Sequence, residues 1–354
     1  MVPGRSLLSL GVVKRALALL AATAMVVGAV LARDRIRPSR QGASPVRLTC
    51  ANELASVCTA LEGRARTTVE AAGTTAKRLV GLAAGADPGL DAWLALQPWP
   101  ALVDDARQRA AVPPLFASGA LAPVARSPLA VAVWPDRLRV AQAACGAAIT
   151  WKCLGTVAGR GTWSASGGPA SWGLVKLALP DPTVDGAGLD VLGALAVGFT
   201  SRVDLVSTDL DDDAFRGFLG GVAHAVPTAP PSLETMLAVG PAVLDMFATA
   251  EAAAAHPVAL SVRDPKPVLI YPAPLATADV VLAGLPDQDG RRLASLVRSG
   301  PGQQALAAGG WRLGGGQAPG DAIASSGAPG APELPPASGL PAPPWVHRLA
   351  GSVT

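Results

Sequence analysis

Several things are scarce in this sequence. Aromatic residues make up 4% of it, with eight Trp, five Phe and a single Tyr, and charged residues 16%. There are three histidines and four cysteines. No HExxH, Walker A, GxSxG or strand-following GxGxxG motif occurs, so the common signatures of metalloprotease, nucleotide-binding and esterase chemistry are missing. His224 and His256 have no local acid–nucleophile pattern around them, and each reads as a structural histidine. Basic excess is missing too. Residues 1–32 hold three basic side chains and no acidic one, which leaves 26 of each sign in the rest; from residue 41 onward 22 basic face 25 acidic. A neutral to slightly acidic body lacks the positive footprint that a phosphate backbone requires, and nucleic acid is excluded as a partner.

What is present is a long, Ala-, Val- and Leu-rich chain. Its 354 residues are enough for one large domain or two lobes, and half of them are hydrophobic. Residues 16–32 are uncharged and apolar, preceded by Lys14 and Arg15 and followed by Arg33. Such a run fits either a single membrane anchor or a secretory signal with a small-residue cleavage site at 30–32. Both place the body on the extracytoplasmic side, the uncleaved anchor being the first expectation. Residues 33–45 read as a polar stalk.

Cys50 and Cys58 are eight apart, as are Cys145 and Cys153. Neither pair is CxxC and the histidines are remote, which argues against zinc. Four cysteines allow three pairings; two local loops are the simplest, and disulfides would fit export.

Strands are expected at 46–50, 67–71, 91–96, 129–134, 174–179, 258–262 and 268–271. Helices are expected at 52–63 with Asn52 as N-cap, 76–84, 137–147, 188–199, 214–223, 233–255 and 289–308. The strand–helix alternation of the first stretch predicts an α/β domain with a parallel sheet. From residue 314 the Gly/Pro-rich stretch predicts a flexible tail to 354. The acidic run Asp209, Asp211, Asp212, Asp213 lacks the glycine and distal glutamate of an EF-hand and reads as a solvated helix start.

Small polar groups recur at strand-to-helix junctions: Cys50-Ala51-Asn52, Gly73-Thr74-Thr75, and the run from Asp181 to Gly188. Helix beginnings of this kind bind small polar or anionic ligands through unpaired N–H groups, or are simply capped. The order of the segments VRLTCANELASVCTALE, TTVEAAGTTAKRLVGLAAGADPGLDAWLALQPWP, SPLAVAVWPDRL, WGLVKLALPDPTVDGAGLDVLGAL and VLIYPAPLATADVVLAGLPDQDGRRLASLVRSGPGQQALAAGGWR resembles the type II periplasmic-binding-protein fold of solute-binding proteins. It is similar in particular to modules of actinobacterial membrane-anchored proteins that also carry a von Willebrand factor A domain, although no DxSxS metal motif occurs here. The resemblance implies lobe one over 46–130 and 256–313, lobe two over 131–255, and a ligand in the cleft between them. Ala51, Asn52, Thr74, Thr75 and Ser127 would face that cleft from lobe one and Asp185, Gly186 and Ala187 from lobe two, with Trp99 and Tyr271 at the rim. Asp185 would repel an anion, so a neutral or cationic ligand is implied, or a site that has lost its function. The implied protein is non-catalytic and needs no cofactor or metal. Its partners would be a small molecule and an ABC permease or surface protein; the alternative is a surface interaction or structural protein of the same fold.

Overall fold

The computed structural model describes residues 46–116, 121–146, 148–227, 231–314 and 332–353. All belong to one compact unit, Val46–Thr354. The apolar run at 16–32, and with it the anchor or signal, lies outside the described residues; among those described, no helix is long and apolar enough to cross a membrane.

Strand β1 (Arg47–Cys50) pairs in parallel with β2 (Arg66–Val69) and β3 (Ala92–Leu96). Helix α1 (Ala55–Leu61) joins β1 to β2 and α2 (Ala72–Val80) joins β2 to β3. β3 is buried at every residue, as a strand covered on both faces must be. The long strand β4 (Ala125–Val133) divides the sheet. Its first four residues pair with β8 (Thr277–Gly284), which is antiparallel to β3 as well. Its last five pair with β6 (Met246–Ala250), and its last three also with β7 (Val268–Ile270). β5 (Leu177–Ala178) adds to β6, giving the order β2-β1-β3-β8-β4-β6-β5. The sheet thus has two halves that share β4.

Helix α3 (Trp99–Arg109) follows β3, and α4 (Pro135–Cys145) and α5 (Trp151–Gly159) follow β4. Next come α6 (Gly186–Thr200), α7 (Ser207–Asp211), α8 (Asp213–Ala225) and α9 (Leu233–Val239). α10 (Glu251–Ala259) lies between β6 and β7, and α11 (Gln288–Arg298) and α12 (Gly300–Ala308) follow β8. Every residue of α6 from 186 to 197 is buried, and all but Asp190 are apolar or glycine.

Both disulfides join the expected neighbours, Cys50 to Cys58 and Cys145 to Cys153. The first ties the end of β1 to α1. Replacing Cys50 and Cys58 together by serine is expected to cost about 2–3 kcal/mol, the chain-entropy value for so short a loop. Urea unfolding measures it, and non-reduced peptide mapping should recover the two local cross-links.

Several expectations are corrected. Trp99, expected at a cleft rim, opens α3 together with Pro100, which is tolerated in a first helical turn. The 233–255 helix is broken at Gly240 (φ +98°), and the buried strand β6 lies inside it. The 289–308 helix is two, split at Ser299. The strand expected at 258–262 is the last residues of α10 and the turn after it, and β8 was not foreseen. β7 pairs with the second half of the sheet, so the chain returns to the first half at β8, later than the boundary at 256 implies. The flexible tail expected over 314–354 is corrected for 332–353. The carbonyls of Pro332, Pro335 and Ser338 accept from Arg312, Arg126 and the Thr277 amide. Helix α13 (Pro343–Val353) then packs on α3, α6 and α8 and buries Val346, Leu349 and Ala350. Those three apolar residues, spaced for one helix face, outweigh the composition around them.

Candidate functional site

The end of β1, in the first half of the sheet, lies against the start of α6. Past Cys50 the chain makes a short 3-10 turn, Asn52–Leu54, held by the Ala51 amide donating to the Leu94 carbonyl (2.9 Å). Ala51, not Asn52, is the N-cap, and no side chain caps this turn. The turn projects Glu53 onto the first turn of α6, where its Oε1 accepts from the Gly186 amide (2.7 Å). Asp185 is the N-cap of α6 and its Oδ1 accepts from the amides of Ala187 (2.8 Å) and Gly188 (3.2 Å). Gly186 must be glycine, since a Cβ there would lie 2.7 Å from the Leu96 Cβ. Across the same seam the Gly73 amide donates to the Val184 carbonyl (3.2 Å), and a Cβ on Gly73 would fall 2.1 Å from the Thr183 carbonyl oxygen.

A cavity of about 380 Å³ remains at this junction. Asn52, Glu53, Asp181, Asp185 and Glu234 line it, with Ser232, Thr249, Phe247 and Trp311. Its volume lies within the range of small-molecule sites. Among the described residues four carboxyl groups face it and no Lys, Arg or His does. Burial, and then the neighbouring Asp185, pushes the Glu53 carboxyl up to about 8. Burial likewise pushes Asp185 up to about 6, Asp181 adding to the effect, although its two amide hydrogen bonds oppose the shift. The Glu53 Oε2 is buried without a hydrogen-bond partner among the described residues.

The amides at the head of α6 are therefore spent on the protein's own carboxyl groups. An oxyanion would find no free amide at that helix start and would meet carboxylates instead. An organic cation or a neutral hydrogen-bonding solute suits this lining. Among the described residues, no group of three His, Cys, Asp or Glu is placed to hold a metal ion.

Of the residues singled out in the sequence, Asn52, Asp185 and Ala187 line the cavity, Gly186 contacts Glu53 at its edge, and Ala51 is buried behind the turn. The others lie elsewhere. Thr74 is exposed on α2, and Thr75 is buried with its hydroxyl on Glu70 (2.6 Å). The Ser127 hydroxyl accepts from the Ala252 amide (2.9 Å), capping α10 rather than facing a ligand. Trp99 packs near α13, and Tyr271 donates to Glu251 (2.5 Å). Glu53, Glu234, Phe247, Thr249 and Trp311 were missed. Only Glu53 had a signal, one residue beyond Asn52; the rest reach the cavity through tertiary packing.

No family model matches this sequence, and no curated protein does. Solved structures do match. A periplasmic thiamin binding protein is 11% identical, with 87% of this chain and 95% of that one covered at a TM-score of 0.52. Iron-bound HitA from Pseudomonas aeruginosa is 15% identical, with 87% and 98% covered at 0.54. At such identities the similarity is one of fold: this chain has the mixed α/β fold of the periplasmic solute-binding proteins.

Proposed function

We propose that this protein is an extracytoplasmic solute-binding protein, held at the membrane by its N-terminal apolar run, that captures a small cationic or neutral polar ligand without catalysis. The observation that carries this reading is the cavity at the head of α6, lined by four carboxyl groups and no basic side chain. Two local disulfides agree with an oxidising compartment. A permease or a surface protein would receive the loaded form.

A thermal-shift screen of the full-length protein against organic ammonium and guanidinium compounds, sugars, neutral amino acids, sulfate and phosphate tests it. We expect stabilisation of several degrees by a cationic or neutral compound, lost in Asp185→Asn and Glu234→Gln. No stabilisation anywhere in the panel would remove the capture reading. It would favour a surface interaction or structural role instead.

A further inference from the structure

A second cavity, of about 530 Å³, shares no lining residue with the first. It borders α6 at Asp190, between the end of β3 at Gln97 and Pro98, the start of β8 at Thr277 and Asp279, and the C-terminal segment at Ser338, Leu340, Pro341 and Val346. Its walls are largely apolar. Asp190 is 2% exposed, and its Oδ2 has no hydrogen-bond partner among the described residues. A carboxyl group buried without a partner costs several kcal/mol, and an alanine or leucine would serve the packing of α6 better. Such a group in a cavity wall points to a ligand that completes it.

The charged groups around it are otherwise occupied. Asp279 on β8 accepts from the Arg126 Nε (2.8 Å) and the Thr277 hydroxyl (2.8 Å). Arg126 on β4 also donates to Thr277 and to the Pro335 carbonyl. Asp104 on α3 accepts the amides of Leu115 and Phe116, and Asp105 pairs with Arg109. Glu53 and Asp185 are engaged at the head of α6. Among the described residues, Asp190 is left without a counter-charge.

We propose that this cavity is a second binding site, for a primary ammonium on a compact apolar body, with Asp190 as its counter-ion. The ammonium would donate to Asp190 and to the Gln97 carbonyl oxygen, while Pro98, Pro100, Leu340 and Val346 hold the apolar body. In the empty site burial, followed by Asp279, Glu53 and Asp185, keeps the Asp190 carboxyl protonated far above the usual carboxylate range. Binding then releases that proton to solvent as the ammonium takes its place, so affinity rises with pH by up to about tenfold per unit until the carboxyl ionises in the empty site.

Calorimetric titration of the full-length protein with benzylammonium, cyclohexylammonium and neutral benzyl alcohol at pH 6, 7 and 8 tests this. Both ammonium compounds should bind, more tightly as pH rises and with proton release, and benzyl alcohol at least tenfold more weakly. Asp190→Asn should lose about tenfold or more of the ammonium affinity while unfolding at the same or a higher temperature. Leu340→Trp, which fills the cavity from its roof, should give the same loss and serves if the asparagine variant does not fold. Glu234→Gln should weaken ligands of the first cavity without moving this one, which separates failure of the two readings. Ammonium binding that is absent, indifferent to Asp190→Asn, or weaker as pH rises overturns the proposal.

Discussion

Glu251→Ala is expected to lower the unfolding free energy by about 3–5 kcal/mol, the usual effect of stripping one partner from a buried ion pair. Glu251, at the start of α10, is fully buried and receives the Arg312 Nε on Oε1 (3.0 Å) and Nη2 on Oε2 (2.6 Å). The Tyr271 hydroxyl donates to the same Oε2 (2.5 Å), and burial together with this carboxylate holds the phenol far above its ordinary range. Arg312 is 1% exposed, so alanine at 251 would leave a guanidinium with no counter-charge and no water. The pair also ties α10 to β4, because Arg312 exchanges backbone hydrogen bonds with Arg126 (2.8 Å each way). Replacing Glu251 and Arg312 together by methionine should cost markedly less than Glu251→Ala alone, since no charge is then stranded. Equilibrium denaturation of the variants measures both. If the single variant lost under 1 kcal/mol, the assigned burial of this pair would be contradicted.

The second large effect is a dependence on pH. The Glu53 carboxyl, ordinarily near 4.5, titrates at about 8 in the folded protein because burial and Asp185 both disfavour its charge. Between those values the folded chain holds a proton that the unfolded chain has released. The stability this confers is whole below the unfolded value and is lost as pH rises through the folded one. Asp185, at about 6, acts in the same direction over a lower window. Stability should therefore fall by about 5 kcal/mol from pH 5 to pH 8, most of it through Glu53. Glu53→Gln keeps an amide oxygen for the Gly186 N–H without the charge. It should be the more stable protein at pH 8 and should show a shallower slope between pH 6 and 8. A wild-type protein that gains stability over this range would contradict the assigned burial of Glu53.

Local patterns made a good part of this fold legible in advance. β1, β2 and β3 are short apolar or β-branched runs bounded by turn residues, and their parallel pairing follows from the helices between them. The eight-residue cysteine spacings carried the disulfides. What failed were elements whose signal is tertiary. β6 lies inside an alanine-rich stretch that reads as helix, and only its partners β4 and β5 make it a strand. α13 was hidden because its proline-rich approach has the composition of a linker, although Val346, Leu349 and Ala350 form an apolar stripe. Within the site, Asp185 was legible as a helix start carrying the wrong charge for an anion. Thr75 and Ser127 looked like ligand groups because a hydroxyl at a junction does not reveal whether the protein uses it itself; here one binds Glu70 and the other caps α10. Trp311 lies 126 positions from Asp185, and no local pattern joins them.

Matched calorimetric titrations at pH 7 test the central claim most directly, setting sulfate and phosphate against the best organic cation or neutral solute found by thermal shift. The cavity's four carboxyl groups predict saturable binding of that solute, weakened at least tenfold by Asp185→Asn, and no heat of binding from either oxyanion at millimolar concentration. Tight oxyanion binding that survives unchanged in Asp185→Asn and Glu53→Gln would contradict it.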